Sequence, residues 1–363
     1  MRPLTKNAKT LIISVLFIFS LSVNLHPQDI QCVWTGVEKI VAVGDVHGAY
    51  DNFVRILQAT GLIDEGLHWI GGKIHLVQTG DIMDRDTDAK KVFDLLMTLE
   101  KEAEAGGGKV HFLIGNHEEL NITGIALDQP GYVTPEQFAS FLPEKFRKKK
   151  EDKLRKTIEV QPQGDSNSSS SFPSYLRDFW QGIIKSERGK GEGEARRMYT
   201  NTFNDTYGKW IISHNAVIKI NNIIFAHGGV SKKYSTRKLN DINRLLRTEL
   251  EECRLRYKRF LQPKERYQIV YDSKGPLWYR EIAQKDEKMF KPELEQILKD
   301  LKADHMVIAH TPRAGSPVIS EELMSRFEGK IWVIDTGISH FGGLLSALII
   351  ENGKFNVWGE AHE

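Results

Sequence analysis

Five times this chain runs through a short apolar segment, reaches a glycine or another small residue, and then places Asp, Asn or His. The stretches are KIVAVGDVHG at 39–48, HLVQTGDIMDRD at 75–86, HFLIGNHEE at 111–119, IIFAHGG at 223–229 and MVIAHTP at 306–312. Apolar runs this short, bounded by turn formers, read as buried strands. Amphipathic stretches separate the first three. Phe53, Ile56 and Leu57 recur at spacings of three and four. A second helix is expected from about Thr87 to Ala105, with Val92, Phe93, Leu96 and Leu99 inward and three glycines ending it. The β-α-β-α-β order, with strands at 40–43, 73–77 and 110–114, predicts an α/β layer whose strand-end loops gather on one rim.

Each polar motif alone has an ordinary reading, because Gly and Asp are turn residues and a lone His is usually satisfied by its surroundings. The run GDIMDRD at 80–86 is harder to explain that way, with three aspartates and one arginine crowded at a strand end. Five such motifs in one chain order point instead to a shared site. Asp45, His47, Asp81, Asn116, His227 and His310 supply carboxylates, imidazoles and one amide oxygen, the ligand set for two hard or borderline divalent ions. Two ions ~3.5–4 Å apart need a shared ligand, and an aspartate with two oxygens suits that role.

The ordered set resembles the phosphoprotein phosphatases of the calcineurin-like metallophosphoesterase superfamily, whose signatures are GDxHG, GDxxDRG, GNHE, HGG and GHT. The resemblance covers about residues 38–350. GNHEELN continuing to GYVT, GPLWYR at 275–280, HTP at 310–312 and GKIWVIDTGIS at 329–339 resemble the Shewanella-like branch. The resemblance implies a two-sheet β-sandwich flanked by helices and a phosphatase using two divalent ions, with Mn, Fe and Zn all admitted by the ligand types. It implies that Asp45, His47 and Asp81 hold one ion, and that Asp81 bridges to a second held by Asn116, His227 and His310. It puts Asp84, Arg85, His117 and Arg280 at catalytic positions, with Arg85, Asn116 and Arg280 meeting the substrate.

In that reading, a water between the ions is deprotonated near neutral pH and attacks phosphorus in line. Arg85 and Arg280 clamp the phosphoryl oxygens, and His117, oriented by Asp84, protonates the leaving oxygen. Salt-bridged Arg85 and ring-stacked Arg280 are the competing structural roles. The expected substrate is a phosphoprotein (Ser/Thr or Tyr) or a small phosphomonoester. Hydrolysis of a dinucleoside polyphosphate and non-catalytic phosphate binding are the alternatives, and the retained Asp84-Arg85 pair weighs against the first. Two positions depart from the family pattern, Asp86 for the glycine of GDxxDRG and Ala309 for the glycine of GHT.

The rest of the chain is less specific. Arg2, Lys6 and Lys9 precede the apolar run Leu11–Val23, too short to span a bilayer at roughly 20 residues, so residues 1–31 read as a signal peptide or leader. An exported chain, periplasmic or extracellular, is expected. Small residues are absent from the usual cleavage spacing, which leaves an uncleaved anchor as the alternative and the sole expected membrane contact. A single domain is expected over 38–360, interrupted by a partly helical insertion at about 125–208 that holds the basic run 144–156 and the low-complexity run 161–172. A formal net charge of +2 gives no reason to expect nucleic acid, and a monomer is expected. Cys32 and Cys253 allow either one disulfide or two free thiols.

Overall fold

A computed structural model describes residues 30–158, 172–189, 193–257, 267–312, 324–339 and 343–361. Apart from residues 30, 31 and 172, the expected leader and the low-complexity run lie outside the described residues. The strands are β1 (Val33–Trp34), β2 (Lys39–Val43), β3 (His75–Gln78), β4 (Lys109–Phe112), β5 (Val217–Ile220), β6 (Ile223–Ala226), β7 (His305–Ile308), β8 (Ser325–Arg326), β9 (Ile331–Val333), β10 (Leu344–Glu351) and β11 (Lys354–Ala361).

They form two mixed sheets, ordered β1-β5-β6-β7-β9-β8 and β11-β10-β2-β3-β4. In the second, β2, β3 and β4 run parallel; in the first, β6, β7 and β9 do. Side chains alternate across each strand. Ile40 and Ala42 of β2 lie in an apolar layer shared with Phe225, Val307 and Trp332 of the facing sheet. Val41 and Val43 point the other way, into the cluster that holds Phe53, Ile56 and Phe93 of the helices Tyr50–Ala59 and Ala89–Ala105. Strands buried on both faces explain why they read as continuous apolar runs. The architecture is the two-sheet α/β sandwich expected from sequence.

Two tight hairpins join neighbouring strands. Asn352 and Gly353 between β10 and β11 have φ of +51° and +78°, the left-handed pair a two-residue turn requires. At the β5–β6 turn Asn221 has φ +55°. The apolar run Trp210–Ile212 ahead of β5 is helical, within Lys209–Ile212. The Trp210 ring stacks on Phe112 at 4.8 Å and its indole donates to Glu100 at 3.0 Å, so packing against β4 and its neighbouring helix decides that segment.

Between β4 and β5 the chain is helical over Asn116–Ile122, Pro135–Phe141, Glu144–Ile158, Ser174–Glu187 and Glu194–Phe203. Thr134 caps the second of these by accepting the Gln137 N–H at 3.2 Å, with Pro135 in its first turn. Phe138, Phe141, Trp180, Tyr199 and Phe203 form its buried aromatic core. Cys32 and Cys253 form no disulfide with each other and are buried in different apolar clusters. No helix among the described residues is long and apolar enough to cross a membrane.

Candidate metal centre

Parallel strands put their carboxyl ends on one edge, and the loops that follow β2, β3, β4, β6 and β7 meet there. Five non-glycine residues in these loops take left-handed backbone, with φ of +46° at His47, +54° at Asp81, +70° at Asp84, +72° at Arg85 and +65° at His310. Such conformations cost of order 1–3 kcal/mol each and persist only where the surroundings hold them. The loops are packed too closely for side chains at their glycines. A β-carbon on Gly115 would collide with Asp81 Oδ1, and Gly80, at φ +97°, passes against the Gly115 backbone.

All six expected ligands are buried; five of them meet around Asp81, while Asp45 stands outside both potential ligand groups and approaches His227 on its Nδ1 side at 3.7 Å. The His227 Nδ1 is 2.9 Å from the Thr79 carbonyl and the His47 Nδ1 2.8 Å from that of Met83. Each carbonyl accepts only if that nitrogen carries the proton, which leaves Nε2 as a lone pair aimed into the site. His227 Nε2 then faces Asn116 Oδ1 at 2.9 Å, His310 Nδ1 at 3.1 Å and Asp81 Oδ2 at 3.4 Å. On the other side, Asp81 Oδ2 lies 3.7 Å from His47 Nε2 and 3.9 Å from His117 Nε2. Asp81 Oδ1 is occupied separately, accepting the His117 N–H at 2.9 Å. Asp81 thus belongs to two buried groups of potential ligands, one with His47 and His117, the other with His227 and His310. Lone pairs crowded in this way repel one another until a cation sits among them, so the donor set fits divalent metal.

The electrostatics agree. Burial, with His117 beside it, pushes His47 down to about 3, and burial, with His227 beside it, pushes His310 down to about 2. Both imidazoles are therefore neutral, the form that binds metal. Burial opposes charge on Asp81, yet its carboxyl is held well below the usual range, which takes positive charge on the surrounding His227, His117 and His47 or a cation in its place. Asp45 and Asp335 hydrogen-bond to each other, and burial, followed by their own proximity and that of Asp81, raises Asp45. Burial raises Asp335 as well. Two buried carboxyls in contact require a shared proton or a nearby cation.

His117 Nδ1 lies 2.7 Å from Asp84 Oδ2, and both residues are buried. Burial lowers the His117 pKa, but the carboxylates of Asp81 and Asp84 outweigh it and raise the pKa overall. Arg85 is exposed with its guanidinium 5.5 Å over the Tyr132 ring, and it forms no ion pair with Asp84 or Asp86. Arg280 donates to the His310 carbonyl at 2.6 Å and stacks on no ring among the described residues; Trp278 instead meets His310 in a T-shaped contact at 6.0 Å.

Neither departure from the family pattern is strained, since Asp86 and Ala309 are both outside the left-handed region. Ala309 is buried in the layer between the sheets. Asp86 turns its carboxylate to the Thr87 N–H at 2.7 Å and lines a groove of about 480 Å³ with Gly48, Asp51, Asp88 and Arg147. Burial raises its pKa.

Two residues of the site carry no role in the sequence reading. Asp335 follows β9 as Asp45 follows β2, so the same rule, an apolar run ending in Asp, finds it. Glu118 sits inside GNHEE. Its carboxylate accepts the N–H groups of Asp81 and Ile82 at 2.8 Å, Gly115 at 3.0 Å and Met83 at 3.3 Å.

A two-sheet α/β sandwich with a buried cluster of histidine, carboxylate and amide donors at its strand ends defines a metal-dependent hydrolase. Residues 38–314 match the sequence profile of the calcineurin-like phosphoesterases, and the chain belongs to that family. It is 29% identical over 313 residues to Shewanella-like protein phosphatase 1 of Plasmodium berghei, covering 85% of this chain and 68% of that one. It is 28% identical over 239 residues to Shewanella-like protein phosphatase 2 of Arabidopsis thaliana, covering 63% and 58%. It shares its fold with a cold-active protein-tyrosine phosphatase of a psychrophilic Shewanella species, at a TM-score of 0.63 and 24% identity over 93% of this chain and 83% of that one.

Proposed function

We propose that this phosphatase hydrolyses phosphomonoesters on protein side chains with two divalent metal ions. The carrying observation is Asp81 Oδ2, which lies between the His47 and His227 sides of the centre at 3.7 and 3.4 Å. Asp45, His47 and Asp81 would hold one ion, and Asp81, Asn116, His227 and His310 the other. Mn, Fe and Zn all suit these ligands. When bound, the pair of cations lowers the pKa of coordinated water to near neutrality and supplies a nucleophile.

The protein contributes the rest. Arg85, with no ion pair among the described residues, and Arg280, anchored on the His310 carbonyl, bind the non-bridging phosphoryl oxygens, with Asn116 beside them. Their charge-assisted bonds strengthen as negative charge builds on those oxygens. His117, with Nδ1 held by Asp84, presents Nε2 to the leaving oxygen and gives it a proton. The relatives named as protein phosphatases support a phosphoprotein substrate.

The test is a panel of p-nitrophenyl phosphate, a phosphotyrosine peptide, a phosphoserine peptide and diadenosine tetraphosphate, offered to the manganese-loaded chain. Release of phosphate from the monoesters, abolished by chelator, is the expected result. Cleavage of the dinucleotide alone, or of nothing, contradicts the proposal.

A further inference from the structure

The helical stretch between β4 and β5 reaches the Asp84–His117 pair directly. Gln137, on the helix Pro135–Phe141, is fully buried and grips Asp84 at two points. Its Oε1 accepts the Asp84 N–H at 2.7 Å, and its Nε2 donates to Asp84 Oδ1 at 3.0 Å. The first bond fixes which way the amide faces, and that orientation makes the second bond possible. Asn121 works in the same way. Its Nδ2 donates to both Asp84 oxygens at 3.1 Å and to the His117 carbonyl at 2.9 Å, while its Oδ1 accepts the Tyr199 hydroxyl at 2.8 Å. Tyr199 lies on the helix Glu194–Phe203 and stacks on Phe138 with ring centroids 5.1 Å apart. Asp84, at φ +70°, is therefore held from three sides, by His117, Gln137 and Asn121.

We propose that Gln137, and Tyr199 acting through Asn121, are positioning residues for leaving-group protonation, so that this helical region sets how well the enzyme expels poor leaving groups. The inference rests on the phosphomonoesterase reading. A carboxylate held by two buried amides presents one fixed geometry to the imidazole. Loosening it lets the ring swing, and a proton donor works only within hydrogen-bond reach of the departing oxygen.

The experiment compares phenyl phosphate, whose phenolate needs a proton to leave, with p-nitrophenyl phosphate, whose anion departs readily. Gln137→Glu keeps the acceptor for the Asp84 N–H but sets a second carboxylate against Asp84. It should lower kcat on phenyl phosphate by about 10–100-fold, the span for groups that orient a site residue. The loss on p-nitrophenyl phosphate should be at least about tenfold smaller, since less protonation is needed there. Tyr199→Phe removes one hydroxyl, should shift both rates in the same direction by less, and decides the matter if the first variant melts early. Metal content should equal that of the wild type in both. Equal losses on the two substrates, or no loss on either, overturn the inference while leaving the phosphatase reading intact. A metal-loaded wild type inactive on both removes the phosphatase reading and the inference with it.

Discussion

Glu118 accepts the backbone N–H of Asp81 at 2.8 Å, and with it the N–H groups of Ile82, Met83 and Gly115. One fully buried carboxylate thus ties the loop after β3 to the loop after β4, and it holds Asp81 in its left-handed conformation. Burial, then Asp81, pushes Glu118 up to about 7, against amides that favour its charge. Glu118→Gln replaces one acceptor with a donor facing N–H groups. Each buried donor left unsatisfied costs about 1–3 kcal/mol. Metal affinity should fall ~10–100-fold, as it does when groups that orient a ligand are lost. Titration of the metal-free variant with Mn or Zn checks this, and wild-type affinity would show that Asp81 needs no such clamp.

His117→Asn should lower kcat on an aryl phosphate by ~10²–10⁴-fold, the span for loss of a general acid. Steady-state kinetics beside metal analysis is the check. Undiminished turnover removes the proton-donor role, while a parallel loss of metal makes His117 a ligand, a role its place 3.9 Å from Asp81 Oδ2 also permits.

Asp86 occupies the glycine position of the family pattern, in a groove with Asp51 and Asp88. Its backbone does not need glycine, so Asp86→Gly relieves no strain and costs about 0.5–1 kcal/mol in chain entropy. Removing that charge should favour substrates with acidic residues beside the phosphate. An effect of about 1 kcal/mol, the scale of one solvent-screened charge pair, makes KM roughly fivefold lower for an acidic phosphopeptide. Equal KM values in variant and wild type place the peptide elsewhere.

Far from the centre, His111 Nε2 meets His75 Nδ1 at 3.0 Å. Burial, then Lys109, lowers His75 to about 4, and burial, then His75, Lys109 and His214, lowers His111 well below its ordinary value. Below the unfolded value near 6.5 the unfolded chain binds protons that the folded chain refuses, so stability is lost as pH falls from there toward 4. At roughly 1.4 kcal/mol per unit, discounted because water reaches much of the ring, His75 accounts for about 1–2 kcal/mol. His75→Gln should flatten the pH dependence of Tm in that window, and an unchanged slope contradicts the assignment.

Much of this site is legible in the sequence because its donors sit directly at strand ends. Asp45, Asp81, Asn116, His227 and His310 each follow an apolar run, and strands in a sandwich bring such positions together. Asp335 obeys the same rule. Glu118 is visible as a letter, but its role needs the loop of Asp81 folded over it. Gln137 has no local signal at all, since its partner Asp84 is 53 residues away and only helix packing joins them. Trp210 lies in an apolar run that carries no period of its own, and contact with Phe112 and Glu100 settles its helical form.

If Asp81 joins two metal ions through one carboxylate, its loss empties both sites, and metal stoichiometry of the wild type beside Asp81→Asn is the sharpest check. Two divalent ions per wild-type chain and close to none in the variant are expected, with phosphatase activity lost in step. A variant that keeps both ions, or a wild type that binds none under saturating metal, contradicts the bridge.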